Sequence, residues 1–247
     1  MNGYVIYHGP SAITFTPIVA ILTLRSDNSK TGNIPQLWIL SADEEPHAAV
    51  KTGGDVAVCG GCKHRPTNGG GCYVTLHRGP LSVYRAWKRG RYADATTPQG
   101  RLRLAHWLLA HQPRAIRLGA YGDPVAVPLA ILSRLAAMAA DAGATTLGYT
   151  HQWHLPRAAA YRGLLMASVD SPAERTRATA GGWRTFRVGL ADEEPSGHEV
   201  HCPAVTDGST CNACRACDGG ASPAVPSVFI HAHGAPNKVN AYTRSRT

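Results

Sequence analysis

The seven cysteines of this chain fall into two groups, and that grouping constrains its fold more than any other feature. Cys59-Gly60-Gly61-Cys62 is followed across Gly69-Gly70-Gly71 by Cys72-Tyr73, and Cys202-Pro203 is followed by Cys211, Cys214 and Cys217. No cysteine lies in between, so the long intervening stretch must fold in a way that holds both groups. The cysteine count is odd, and Met1–Pro10 carries neither a basic n-region nor an apolar h-region. An exported disulfide framework is therefore not expected. In a reducing cytoplasm, the expected location, clustered cysteines read as thiolate metal ligands.

The two groups differ in donor number. Zinc sites usually take cysteines as separated pairs. Cys211, Cys214 and Cys217 instead form a tight C-x2-C-x2-C run with a remote fourth thiolate, Cys202, ahead of a proline. That spacing suits a four-iron cluster with every iron filled. Cys59, Cys62 and Cys72 supply three thiolates and leave one iron open, a position that S-adenosylmethionine could occupy. The expectation is thus two [4Fe-4S] clusters, the first with S-adenosylmethionine. Zinc is the alternative, with His64 or His77 completing the first site and His231 or His233 joining the second run.

Charge points to the partner. The 247 residues carry a formal charge of +9, a surplus that favours a polyanion such as nucleic acid or a nucleotide. Between His77 and Arg117 nine basic residues face one acid, Asp94. The segment interleaves Tyr84 and Trp87 with Arg85, Lys88, Arg89 and Arg91, which suits phosphate contacts combined with base stacking. The competing reading buries the two aromatics and leaves the cations solvated. The apolar stretch from Val125 to Ala144 is interrupted by Pro128, Arg134 and Asp141, so no membrane span is expected.

The elements follow from hydrophobic pattern and punctuation. Tyr4–Tyr7, Pro17–Leu24 and Gln36–Leu40 read as strands. Helices are expected from Pro80 and over Pro98–His111. Strands at Ala115–Ala120, Thr145–Thr150, Leu164–Val169, Trp183–Val188 and Ser227–Ile230 alternate with helices at Val125–Ala142, Pro156–Tyr161 and Ser171–Ala180. Such alternation predicts an α/β fold, a complete or partial (β/α) barrel of parallel strands, with cysteine-rich loops at both ends of the core region. Residues 1–233 form a single domain: a cysteine loop at 59–72, a βα core at 79–188 and a cysteine cluster at 202–217. Residues 234–247 are expected to be a flexible basic tail. Chemistry in such folds gathers at the carboxyl ends of strands, which nominates Asp123, Tyr149, His151 and Asp170.

Several phrases resemble the gene-product-88-like family of bacteriophage and mobile-element proteins: Lys30-Thr-Gly-Asn33, Trp38-Ile-Leu40, Cys72-Tyr73, Gly122-Asp123, Gly148-Tyr-Thr150 and the Cys211/Cys214/Cys217 run. The layout is also distantly similar to radical S-adenosylmethionine enzymes, with a three-cysteine loop, a βα region and an auxiliary four-cysteine cluster. That superfamily's usual spacing is C-x3-C-x2-C, whereas here it is C-x2-C-x9-C. Its usual aromatic precedes the third cysteine, whereas Tyr73 follows Cys72. The resemblance implies a radical enzyme of a bacterial host's cytoplasm that modifies a nucleotide or nucleic-acid base. In it Cys59, Cys62, Cys72 and Tyr73 bind the cofactor and Asp123, Tyr149 and His151 face the substrate. Two alternatives are a zinc-containing base-exchange enzyme using Asp123 or Asp170 as nucleophile, and a non-catalytic nucleic-acid-binding protein.

Overall fold

The computed structural model describes residues 2–222 and 224–246. β1 (Gly3–Pro10), β2 (Pro17–Thr23) and β3 (Gln36–Ser41) pair antiparallel in chain order. β2 lies between its neighbours, and Ile18, Val19, Ala20, Ile21 and Leu22 are each 0% exposed. A strand covered on both faces needs no polar side, hence its unbroken apolar run. This meander corrects the expectation of parallel strands throughout. The connection from Pro10 to Pro17 is a short turn, and a parallel crossover needs a dozen or more residues.

Beyond β3 the pairing becomes parallel. α1 (Pro46–Thr52), α2 (Val56–Cys59) and α3 (Gly79–Lys88) precede β4 (Ala93–Asp94), which joins the edge of β1. α4 (Pro98–His111) leads to β5 (Ala115–Tyr121), parallel to β3, and α5 (Leu129–Asp141) leads to β6 (Thr145–Leu147), parallel to β5. The expected helix over Val125–Ala142 is shorter than its apolar pattern. Pro128 forces Val127 into an extended conformation (φ −90°, ψ 132°), so the helix starts anew at Leu129.

The stretch that reads as one strand, Thr145–Thr150, is divided at Gly148. β6 ends the first sheet, ordered β4-β1-β2-β3-β5-β6, and β7 (Tyr149–Thr150) begins the second. The second sheet contains β8 (Met166–Val169), β9 (Thr185–Gly189), β10 (Glu199–His201) and β11 (Ser227–His231) in the order β10-β11-β9-β8-β7, all parallel. Gly148 donates its N–H to the Cys217 carbonyl at 3.1 Å and accepts from Met166 N–H at 2.9 Å. A Cβ there would sit 3.0 Å from Leu118 Cβ and 3.1 Å from Leu165 Cδ2, so a side chain would require its neighbours to give by a few tenths of an ångström. The α/β class holds, with parallel-stranded sheets. A complete barrel does not form among the described residues, since β4 and β10 each end a sheet.

The expected flexible tail is also corrected. Pro236–Arg244 forms a helix, α9, and its Tyr242 is buried, 5% exposed. Low overall hydrophobicity hid this element, because one aromatic side chain anchors it. No described helix is long and apolar enough to cross a membrane.

Candidate functional site

The first cysteine loop begins at Cys59, the last residue of α2, and turns at Gly60 (φ 55°). Cys62 N–H donates to the Cys59 carbonyl at 3.2 Å. Arg65 secures the turn from beneath: its guanidinium donates to the Asp55 carboxylate at 2.5 and 3.1 Å and to the Gly53 carbonyl at 3.0 Å. The chain then returns through Gly69–Gly71, and Cys72 N–H donates to the His64 carbonyl at 2.9 Å. Only glycine fits that return: a Cβ on Gly70 would come within 2.5 Å of the Lys63 carbonyl, and one on Gly71 within 2.6 Å of the Lys238 carbonyl. The nine-residue gap thus brings Cys72 back to Cys59 and Cys62. Burial pushes the Cys59 thiol well above its ordinary pKa, and proximity to Cys72 and then Cys62 adds to the shift.

This loop lies against the carboxyl ends of the parallel strands. Gln152, fully buried just after β7, donates to the Cys59 carbonyl at 2.9 Å and accepts from Gly61 N–H at 3.1 Å. Asp123 follows β5, and its carboxylate accepts from Val125 N–H at 3.0 Å, Thr150 Oγ1 at 2.7 Å and His151 N–H at 2.8 Å. Burial raises its pKa, against the pull of His151 and these donors. With both oxygens engaged, Asp123 ties β5 to β7 and positions His151.

His151 faces Cys62, its hydrogen-bond partner, and its Nε2 lies 3.2 Å from Ser168 Oγ. Burial alone would lower the imidazole pKa, but Cys62, Asp123 and Asp170 together push it up to about 10. Asp170 follows β8 and is 2% exposed. It meets Lys63 Nζ at 2.9 Å, His64 Nε2 at 2.8 Å and Tyr242 Oη at 3.2 Å. Glu174, in the first turn of α6 (Pro172–Ala180), accepts from Asp170 N–H at 2.8 Å while Ser171 caps the helix. Cys62, Lys63, His151, Trp153, Ser168, Asp170 and Arg177 line an open cleft of about 480 Å³.

The second group packs elsewhere on the sheets. Cys202 precedes α7 (Pro203–Thr206), and α8 (Cys211–Cys214) is capped by Thr210. Cys211 and Asn212 donate their N–H groups to Lys30 and Thr31 at 3.1 and 3.0 Å, which anchors the run to the loop before β3. Cys202 and Cys217 pack on Met166, Phe186, Val228 and Ile230 of the second sheet, and Cys211 and Cys217 on Ile34, Ala115 and Leu147. Arg184 gathers the loop by donating to the carbonyls of Ala216, Asp218, Val225 and Pro226. Burial raises the Cys217 thiol pKa, and Cys211, Cys202 and Cys214 raise it further.

Among the described residues no three His, Cys, Asp or Glu side chains converge tightly enough to hold a single metal ion. All seven cysteines are free of disulfides. The raised pKa values keep these thiols protonated and neutral in the absence of a cation, and neutral thiols are readily buried. The two groups offer three and four sulfurs. His231 does not join the second set: its Nε2 bonds the Glu193 carbonyl at 2.7 Å, and strand alternation puts it with Phe229, opposite Val228 and Ile230. His233 Nδ1 bonds the His231 carbonyl instead, and exposed His77 stacks on His47.

Tyr149 turns away from the cleft. It stacks on Phe186 with ring centroids 4.6 Å apart, and its hydroxyl meets that of Tyr73 at 3.3 Å. Tyr73 in turn accepts from Arg117 Nη2 at 2.6 Å. On α3 the expected stacking platform is absent: Tyr84 is 5% exposed and Trp87 packs half-buried against it. Tyr84 is taken up by the buried side of the helix and Trp87 leans on it, so the rings do not form an open face beside the cations. Arg85 pairs with Glu45 at 3.2 Å, Lys88 donates to the Ala42 carbonyl at 3.0 Å, and Arg89 and Arg91 are exposed.

Sequence reasoning missed Gln152, Lys63, Ser168, Arg117 and Tyr242. Position after a strand was the available signal for Gln152 and a neighbouring cysteine the signal for Lys63; Ser168 lies within β8, and Tyr242 carried none. Compared with known proteins, the chain matches no family model, no curated protein and no solved structure.

Proposed function

We propose that this protein is an iron–sulfur enzyme of the radical S-adenosylmethionine type that modifies a nucleotide or nucleic-acid base. One observation carries the reading: Cys62, with Cys59 and Cys72 beside it, lines the cleft at the carboxyl ends of the parallel strands. The cysteine loop also follows β3, the strand at which parallel pairing begins. The strands β3-β5-β6 and β7-β8-β9-β11 are taken as a partial barrel continued through Gly148.

When bound, such a cluster supplies an electron for reductive cleavage of the coordinated sulfonium. The chain's own residues bind and orient. Arg177 offers a cation to a carboxylate or phosphate, Lys63 is held by Asp170 and Glu174, Trp153 offers an apolar face, and the His151 ring lies beside Ser168. The overall charge of +9 and the exposed Arg89 and Arg91 draw a polyanion to the surface.

The test is anaerobic purification with iron and sulfide analysis, followed by reduction in the presence of S-adenosylmethionine. Iron in both groups and release of 5'-deoxyadenosine are expected. Intact reduced clusters that release none would overturn the reading.

One observation favours a second reading, a zinc site with His64 as fourth donor, which the three cysteines and His64 would have to draw together to close because they do not converge on one ion. His64 Nδ1 is buried without a partner while Nε2 is held by Asp170 at 2.8 Å, the arrangement of a ligating histidine. Zinc at one equivalent in the first site, lost in His64→Ala, would favour it.

A further inference from the structure

The connection between β1 and β2 holds a bulky side chain where glycine is the usual resident. Phe15 N–H donates to the Ser11 carbonyl at 2.9 Å, which closes one helical turn. Phe15 ends that turn in the left-handed region at φ 63°. A residue with a Cβ is strained there, which is why glycine is common at such a stop. Burial does not compensate. Phe15 is 78% exposed, the most open of the large apolar side chains among the described residues. Strain and exposure are separate costs, and both fall on this one position.

The rest of the turn is fixed in place. Ser11 is fully buried, and its Oγ donates to the Ala57 carbonyl of α2 at 2.6 Å. Ala12 N–H donates to the Ala126 carbonyl at 2.8 Å. Arg157, in the short helical turn Pro156–Tyr161, donates to the Ala12 and Ile13 carbonyls at 3.0 and 3.3 Å. The same supports frame the cleft: α2 ends at Cys59, Ala126 follows Asp123, and Trp153 and His154 lead into the turn that carries Arg157. Strand direction agrees. β1 and β3 both run antiparallel to β2, so β1 ends at the carboxyl edge of β3 and β5, along which the first cysteine loop lies.

We infer that Phe15 is a stacking platform at the rim of the cleft, on which one base of a single-stranded nucleic acid lies. A single ring takes a single flat partner. Its chain neighbours are Thr14 and Thr16, and no other large exposed apolar side chain stands on residues 11–16. A protein partner needs about 800 Å² on each side, and a membrane needs more than one anchor. The charge fits a polyanion. Arg157 is exposed at the base of the turn, and among the described residues it bonds carbonyls but no carboxylate. His8, near the end of β1, packs on Trp87 of α3, the helix that leads to Arg89 and Arg91. An aromatic platform beside backbone-binding cations is how single strands are held without sequence preference. The inference rests on the reading of nucleic acid as the substrate and narrows it from nucleotide to polymer; it requires no metal.

The experiment compares the full-length chain with Phe15→Ala, Phe15→Trp and Phe15→Gly. The probes are short fluorescein-labelled single strands of DNA and of RNA, free adenosine monophosphate, and vesicles containing phosphatidylserine. Phe15→Ala is expected to bind the strands about fivefold to a hundredfold more weakly, the range for one stacked base, with Phe15→Trp close to the wild type. Phe15→Gly is expected to bind as weakly as Phe15→Ala, yet to melt at least as high as the wild type. Relief of strain there offsets the added freedom of the unfolded chain. A Phe15→Gly variant that melts well below the wild type makes the ring structural and overturns the inference. Equal strand affinity in wild type and Phe15→Ala also overturns it, whether or not vesicle binding changes, and leaves the substrate reading standing. So does a wild type that binds adenosine monophosphate but neither strand. A wild type that binds no nucleotide probe overturns the inference and the nucleic-acid reading together.

Discussion

The side-chain amide of Gln152 lies where a Cβ on Gly60 would have to go: an ideal Cβ there comes within 2.6 Å of Oε1. The same amide bonds the loop on both sides of Gly60, at the Cys59 carbonyl and the Gly61 N–H. The glycine and the glutamine therefore form one device, which presses the Cys59–Cys62 turn onto the end of β7. Gly60→Ala adds strain at φ 55°, ψ −136° and displaces the amide, for an expected loss of roughly 1–3 kcal/mol. Gln152→Ala leaves both partly exposed backbone groups without their protein partner, with a loss of about 1 kcal/mol. Urea denaturation measures both, and the double variant is expected to lose less than the sum, since each disrupts the same contact.

Asp170 makes the fold sensitive to acid. Burial would raise its pKa, but the hydrogen bonds and charges of His64 and Lys63 outweigh burial and hold it well below the usual carboxylate range. A carboxyl depressed on folding stabilises the protein above its unfolded value near 4 and loses that contribution as pH falls through the folded value. Unfolding free energy measured from pH 5 down to pH 2 is expected to drop more steeply in the wild type than in Asp170→Asn. Parallel profiles would show that the carboxylate is not held in this way.

Arg184 is the clasp of the second cysteine loop. Its four carbonyl acceptors span Ala216 to Pro226, so Arg184→Ala frees the segment that carries Cys217. The expected cost is about 3 kcal/mol from several charge-assisted hydrogen bonds lost together. Limited proteolysis is expected to cut first between residues 215 and 226 in the variant and not in the wild type.

Tyr242 anchors α9 to the first site. Its hydroxyl reaches Asp170 at 3.2 Å and the Val188 carbonyl at 2.7 Å, and its ring stacks on His64 at 5.1 Å. Tyr242→Phe keeps the ring and is expected to lose about 1–2 kcal/mol. Tyr242→Ala empties the site, with a loss of about 3–5 kcal/mol. Hydrogen exchange is expected to show α9 unprotected in Tyr242→Ala alone.

Much of the fold was legible from local pattern. The apolar run of β2, the caps of α4 and α6 and the strands ending at Asp123 and Asp170 each depend on residues close in sequence. The break at Pro128 was equally local, yet the apolar pattern on both sides of it masked the stop. Strand direction was not legible for β1–β3, because side-chain alternation is the same for parallel and antiparallel neighbours.

By itself, the sequence determined that there are two cysteine groups of three and four, that each is held in a glycine-rich or polar loop, and that a βα region separates them. Spacing along the chain is enough for that, since ligand types and turn residues are read one by one. Tertiary structure alone decided that Gly148 joins two sheets, that Gln152 and Arg65 shape the first loop, that α9 returns to cover Asp170, and that Arg117 reaches the Tyr73 hydroxyl. These are contacts between residues far apart in the chain, some separated by 70 positions or more. No local preference encodes such a contact; it arises only when the core closes and the partners are buried together.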